Sequence, residues 1–143
     1  METRTFCFRL QSEPDGAADP AANLRLEFLN DHQQWEPQQL QLTTPGFRLS
    51  LISLLLCHHH YLVANAREVA LSLERVTAEF TVTMSIDWII RSVEGDFLAR
   101  LALGAEATTE TLCHIEERMR LCPVSRNLPD AVDKHITFRL IDS

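Results

Sequence analysis

The segment from about Phe47 to about Ala70 contains neither proline nor glycine and consists mostly of good helix formers. At 1.5 Å per residue it predicts a helix of about 35 Å, long for a chain of 143 residues. Its first half is apolar on nearly every side, and a helix apolar all round is a buried one. One stripe of it holds only small residues: Ser50, Ser53, Cys57 and, further along, Ala64. Their spacing keeps them on one face, where another backbone can approach closely. The chain supplies no second helix of that length. The stripe therefore reads as a packing seam, with a second copy of the same chain as a candidate partner.

Strand signals surround this helix. Thr3–Gln11 alternates, with Phe6, Phe8 and Leu10 on one face. Ser12–Asn23 is a loop rich in breakers. Leu24–Leu29 alternates again, a polar loop holds Trp35 and Pro37, and Gln39–Thr43 offers a third short strand through Leu40 and Leu42. After the helix, Arg75–Ile86 is the clearest strand, with Val76, Ala78, Phe80, Val82, Met84 and Ile86 on one face. Val93–Asp96 resembles a hairpin turn returning through Phe97–Leu103. Thr108 or Thr109 caps a second helix running to Leu121. Pro123 ends it, and Ile136–Ile141 forms a terminal strand. The order β-β-β-α-β-β-α-β implies an α+β fold rather than a doubly wound one, in a single domain spanning residues 1–143.

Composition narrows the function classes. Thirteen Lys and Arg face twenty Asp and Glu, a net charge of −7. Nucleic-acid binding requires a basic surface to release phosphate counterions, so nucleic acid is not an expected partner. The same balance disfavours docking on anionic membranes. No stretch reaches the roughly 18 uninterrupted apolar residues of a membrane span. The start, Met1 to Thr5, lacks the layout of a secretory signal, and a cytoplasmic protein is expected. Thiols there are normally reduced, so the four cysteines read as free, metal-bound or redox-active.

Two of these cysteines stand out. Cys57 lies midway along the apolar helix, and Cys122 lies just before Pro123 at the end of the second helix. Taken singly, each also suits a small hydrophobe filling core space. Cys113 and Cys122 sit on opposite sides of their helix, about 13 Å apart along its axis, too far to bridge. Cys7 has no local partner. The run Cys57-His-His-His60 invites a metal reading, yet on a helix its members point four ways, and only Cys57 and His60 come near one face. A structural zinc site needs four converging ligands, so no metal is expected. A plainer role is that one histidine lies close enough to Cys57 to favour its thiolate. Gly-rich phosphate loops, nucleophile elbows and H-E-x-x-H are absent from the sequence, which has only four glycines.

Two segments carry a resemblance. One is Leu54-Leu-Leu-Cys-His58 at the heart of the apolar helix, followed by Leu62-Val-Ala-Asn-Ala-Arg-Glu68 and Leu73-Glu-Arg-Val76. The other is Glu117-Arg-Met-Arg-Leu-Cys-Pro-Val-Ser-Arg126. With their spacing and the strand order, the chain from Phe47 onward resembles the osmotically inducible protein C and organic hydroperoxide resistance (OsmC/Ohr) family. The resemblance implies an intertwined homodimer with two long central helices. It implies a thiol peroxidase acting on organic hydroperoxides, with Cys57 at the peroxidatic position and Cys122 at the resolving one. An external dithiol, often a lipoyl group, resets the pair, and no cofactor is implied. The family places a Glu about ten residues before the helical cysteine, where this chain has Phe47 and Arg48, and takes an Arg from the first hairpin loop, where Ser12–Asn23 has none. Arg48 and Arg25 are the candidate substitutes. The alternative is a dimer of the same fold without turnover, acting as a redox sensor or small-molecule binder.

Overall fold

The computed structural model describes residues 2–15 and 23–141. Most of the loop expected at Ser12–Asn23 lies outside the described residues. Among the described residues, six strands form one sheet in the order β3-β2-β1-β4-β5-β6, with β1 Thr3–Ser12, β2 Arg25–Leu29, β3 Trp35–Pro37, β4 Leu73–Ser85, β5 Ile90–Leu101 and β6 Asp133–Leu140. Three helices accompany it: α1 Gly46–Glu68, α2 Thr109–Met119 and the short α3 Pro123–Arg126. Neighbouring strands pair antiparallel except β5 and β6, which run parallel. A parallel pair needs a crossover, and here α2 and α3 form it. The mixed α+β architecture expected from the sequence is the one found, with α3 added.

Strict alternation decides which sheet face is wet. Phe8, Leu10, Val76, Phe80, Val82, Val93, Phe97, Ile136 and Phe138 are buried on one face, while Arg9, Glu27, Glu79 and Asp96 line the other. The inner face receives α1 through Leu51, Ile52, Leu54, Leu55, Leu62 and Ala66, which join the same hydrophobic cluster. The helix is not buried on every side, as its composition led us to expect. Ser50, Ser53 and His60 are exposed on its other face. Of the small-residue stripe, Ser50 and Ser53 are exposed while Cys57 and Ala64 are partly buried. By length and composition α1 is apolar enough to cross a membrane, yet its buried face is built into the sheet's core.

Two local expectations were overturned. The third strand is Trp35–Pro37, not Gln39–Thr43. Asn30 Oδ1 accepts the amides of His32 and Gln34, tightening the turn so that Leu29 pairs with Trp35 directly. Arg9 then stacks over the Trp35 ring at 4.4 Å. Leu40 and Leu42 are left exposed. The β4–β5 turn lies at residues 86–89, not at Val93–Asp96, which is mid-strand. Trp88 makes that turn with a φ of 67°, an uncommon conformation for a bulky residue. It is held by Arg4 over its ring at 4.5 Å and by edge contact with Phe47 at 5.5 Å. Gly95, which prompted the turn expectation, serves packing instead. A Cβ there would lie 3.0 Å from Phe80 and 3.1 Å from Phe97 and Ile136.

α2 starts at Thr108, whose side chain accepts the Thr111 amide, with Glu110 in the first turn, as capping chemistry requires. Glu116 fastens this helix to β6 by accepting the Phe138 amide at 3.0 Å, and Arg120 adds a bond to the Ile136 carbonyl. Lys134 reaches the Ser125 carbonyl of α3 at 3.0 Å. These ties hold the α2–α3 junction over the inner face.

Two buried histidines lock α1 in place. His58 donates from Nδ1 to the Leu54 carbonyl at 2.8 Å and lies between Phe80 and Phe97, with ring centroids 6.0 and 6.4 Å away. His59 Nε2 shares a 2.7 Å hydrogen bond with Ser12 Oγ at the end of β1. Burial pushes the His59 pKa down to about 4, with the nearby His60 adding to the effect. Burial also lowers that of His58.

Replacing Gly95 by Ala is expected to cost about 1–3 kcal/mol by overpacking, read as a lower urea midpoint with the fold retained. An unchanged midpoint would contradict the packing role. His59 is neutral when folded and protonates more readily when unfolded, so the unfolded state binds more protons between about pH 6.5 and 4. Stability from this group is full above that window and falls as pH drops through it, by up to about 3 kcal/mol. Urea titrations at pH 7, 5.5 and 4 should show a shallower acid loss in His59→Gln than in wild type. Equal slopes would refute the assignment.

Candidate functional site

Cys57 and Cys122 are far apart in sequence and come from different elements, and the fold brings them together. Cys57 is half-buried, on the side of α1 that the sheet does not cover. Cys122 is fully buried where α2 gives way to α3. The break at Pro123 creates this position: the proline has no amide hydrogen and sits at the first position of α3, so the chain turns back toward α1. α2 packs on α1 through Ile115 and Met119, both buried, and through Arg118, which donates to Asn65 Oδ1 at 3.3 Å.

The two thiols interact electrostatically. The Cys122 pKa is pushed up to about 12, first by burial and then by hydrogen bonding and charge from the neighbouring Cys57. The backbone of Val124 and Ser125 in α3 acts in the opposite direction. Cys122 therefore keeps its proton at neutral pH. A protonated Cys122 next to Cys57 is a hydrogen-bond donor available to a Cys57 thiolate.

Cys57 opens into an apolar groove of about 600 Å³. Leu40, Leu49, Ile52, Leu56 and Val124 provide its walls, with Ser53 and His60 beside the cysteine. Leu40, the residue misplaced in the expected third strand, thus forms part of the rim. A groove of this kind accepts an apolar organic molecule more readily than a hydrated ion.

The other residues named from the sequence lie elsewhere. Arg48 stacks over the Phe28 ring at 4.2 Å and reaches Gln38 Oε1 at 3.5 Å. It lines a separate polar pocket with Gln38, Gln41 and Thr44, and not the Cys57 groove. Arg25 belongs to the outer sheet face, beside Glu27 and Arg139, with the sheet between it and α1. Cys113 is exposed, and Cys7 accepts a weak 3.9 Å contact from Thr81 on β4. Among the described residues no group of three or more His, Cys, Asp and Glu converges as a metal site would require. The three histidines divide: His58 and His59 serve the core, and only His60 shares the groove with Cys57. The spacing of Cys57 and His60 carried that signal. The burial of His58 and His59 followed only from the direction α1 turns toward the sheet.

No family model and no curated protein sequence matches the chain. Solved structures do. The chain superimposes on an OsmC-like protein from Mycoplasma pneumoniae with a TM-score of 0.56, covering 99% of this chain and 96% of that one at 11% identity. It superimposes on an OsmC-like hydroperoxide resistance protein from Jannaschia sp. CCS1 with a TM-score of 0.51, covering 87% and 86% at 13% identity. At such identities the shared property is the backbone architecture, and on that ground the chain has the OsmC-like fold.

Proposed function

We propose that this chain is a cysteine-based peroxidase for organic hydroperoxides, with Cys57 as the attacking thiol and Cys122 as the resolving one. The observation that carries this reading is the contact between a half-buried thiol facing an apolar groove and a buried thiol that holds its proton. The fold shared with a hydroperoxide resistance protein supports it.

The chemistry runs in two steps. The Cys57 thiolate attacks the outer oxygen of the hydroperoxide. An S–O bond forms, the O–O bond breaks, and the leaving alkoxide takes a proton to become an alcohol. Cys57 is then a sulfenic acid. The Cys122 sulfur attacks the Cys57 sulfur next, giving a disulfide and releasing water. An external dithiol of the lipoyl class restores both thiols by exchange and leaves as a cyclic disulfide. High proton affinity at Cys122 keeps it from competing for peroxide, and the α3 backbone eases its later ionisation. No metal or organic cofactor takes part. A reducing compartment such as the cytoplasm suits this cycle.

The small-residue stripe of α1, exposed at Ser50 and Ser53 beside the groove, supports a homodimer in which the α1 helices of two copies pack together. Sedimentation should give twice the 16.3 kDa chain mass, with Ser53→Arg shifted to monomer. A monomeric wild type would rule this arrangement out.

In a dithiol-coupled assay with cumene hydroperoxide, Cys57→Ser should lose turnover by at least about 100-fold. Cys122→Ser should stop after one equivalent and leave a Cys57 sulfenic acid trapped by dimedone. Undiminished turnover in Cys57→Ser would overturn the proposal. Silence of the folded wild type toward peroxide would favour the non-catalytic alternative.

A further inference from the structure

We propose that His60 is the proton-handling partner of Cys57, taking the thiol proton as the thiolate forms and returning it to the oxygen that leaves. The second half of this role rests on the peroxidase reading; the first half does not.

Four observations converge. Cys57 and His60 are three residues apart on α1, a spacing that puts their Cβ atoms about 5–6 Å apart on one face. Both line the same groove. Among the described residues, the remaining walls are Leu40, Leu49, Ile52, Ser53, Leu56 and Val124, which carry no group that changes charge near neutral pH. Two candidate cations lie elsewhere: Arg48 against Phe28 and Gln38, and Arg25 on the outer sheet face.

The neighbouring titratable groups leave His60 this task. His59 is tied to Ser12 and held neutral by burial, and His58 is bonded to Leu54 among aromatic rings. Tyr61 meets the His60 ring edge-on at 6.3 Å. Among the described residues, α3 gives the groove only Val124, and the segment before α1 only Leu40. Cys122 keeps its own proton. An apolar groove offers a thiolate little solvation, so a nearby imidazolium stabilises the anion strongly.

The proton balance closes. The Cys57 thiol and neutral imidazole become thiolate and imidazolium. The thiolate forms the S–O bond as the O–O bond breaks. The electron pair passes to the alkoxide, and the imidazolium proton converts it to the alcohol. Cys57 is left as sulfenic acid and His60 as neutral imidazole, with no further reactant required.

The test separates the two halves by using an electrophile that is not a peroxide. Alkylation of Cys57 by iodoacetamide would be followed by peptide mapping from pH 5 to 9, in wild type, His60→Gln and His60→Arg. His60 lies outside the sheet-facing core, and thermal melts with sedimentation would verify that both variants keep the fold and the assembly of wild type. The expected result is that His60→Gln reacts about tenfold more slowly than wild type at pH 6 and converges with it at alkaline pH, where a thiol ionises without help. His60→Arg, whose fixed cation stabilises the thiolate but can neither take nor return a proton, should restore alkylation and, if the peroxidase reading holds, leave peroxide consumption slow. Superimposable profiles for wild type and His60→Gln would overturn the proposal. The expected alkylation profiles with no peroxide consumption by wild type would sustain the Cys57–His60 pairing and sink the peroxidase reading instead. If the peroxidase reading holds, cumene hydroperoxide consumption should fall at least as steeply in His60→Gln as alkylation does.

Discussion

The contact of α1 with the inner sheet face governs both the core of this molecule and the groove beside Cys57. Leu51, Ile52, Leu54, Leu55 and Leu62 bury themselves against a sheet whose alternation leaves Phe8, Phe80 and Phe97 on that side. This fixes the rotation of the helix about its axis. His58 and His59 turn inward, one between phenylalanines and the other onto Ser12. Once they are inside, helical geometry puts Cys57 and His60 outside. The groove-facing position of Cys57 and His60 is thus a consequence of core packing, and a change in that packing would move both side chains as well as weaken the fold.

The second constraint is the parallel pairing of β5 and β6. It obliges the chain to cross the sheet, and the crossing is interrupted at Pro123. Glu116, Arg120 and Lys134 tie the crossing segment to β6. Cys122 is thereby held against α1 in a buried, proton-retaining setting. A more exposed Cys122 would ionise more easily. Burial, more than any other influence, is what holds the proton on Cys122.

Much of this was legible in the sequence where a period was long and unbroken. The α1 segment, the β1 and β4 alternations and the Thr108 cap each agree with the structure because local and tertiary preferences coincide there. The failures came where tertiary contacts overrode local signals. Gly95 looked like a turn residue, but its missing side chain makes room for Phe80, Phe97 and Ile136. Trp88 does not look like one, yet Arg4 and Phe47 hold it at positive φ. Leu40 and Leu42 alternate like a strand but have no strand to pair with, since Trp35–Pro37 already occupies the edge of β2. For the site, both cysteines could be named from the chain alone. Their mutual contact could not, because it depends on the β5–β6 crossover. Nor could the fate of Arg48, which is settled by the Phe28 ring.

Everything proposed for the site turns on Cys57 and Cys122 forming one redox unit. The most direct measurement is the intact mass of the fully reduced protein after one equivalent of an organic hydroperoxide, with peptide mapping under non-reducing conditions. The account predicts the loss of two hydrogens, mapped to a bond between Cys57 and Cys122, with the peroxide converted to its alcohol and Cys7 and Cys113 still alkylatable. A Cys57 that remains a free thiol while the peroxide persists would contradict it.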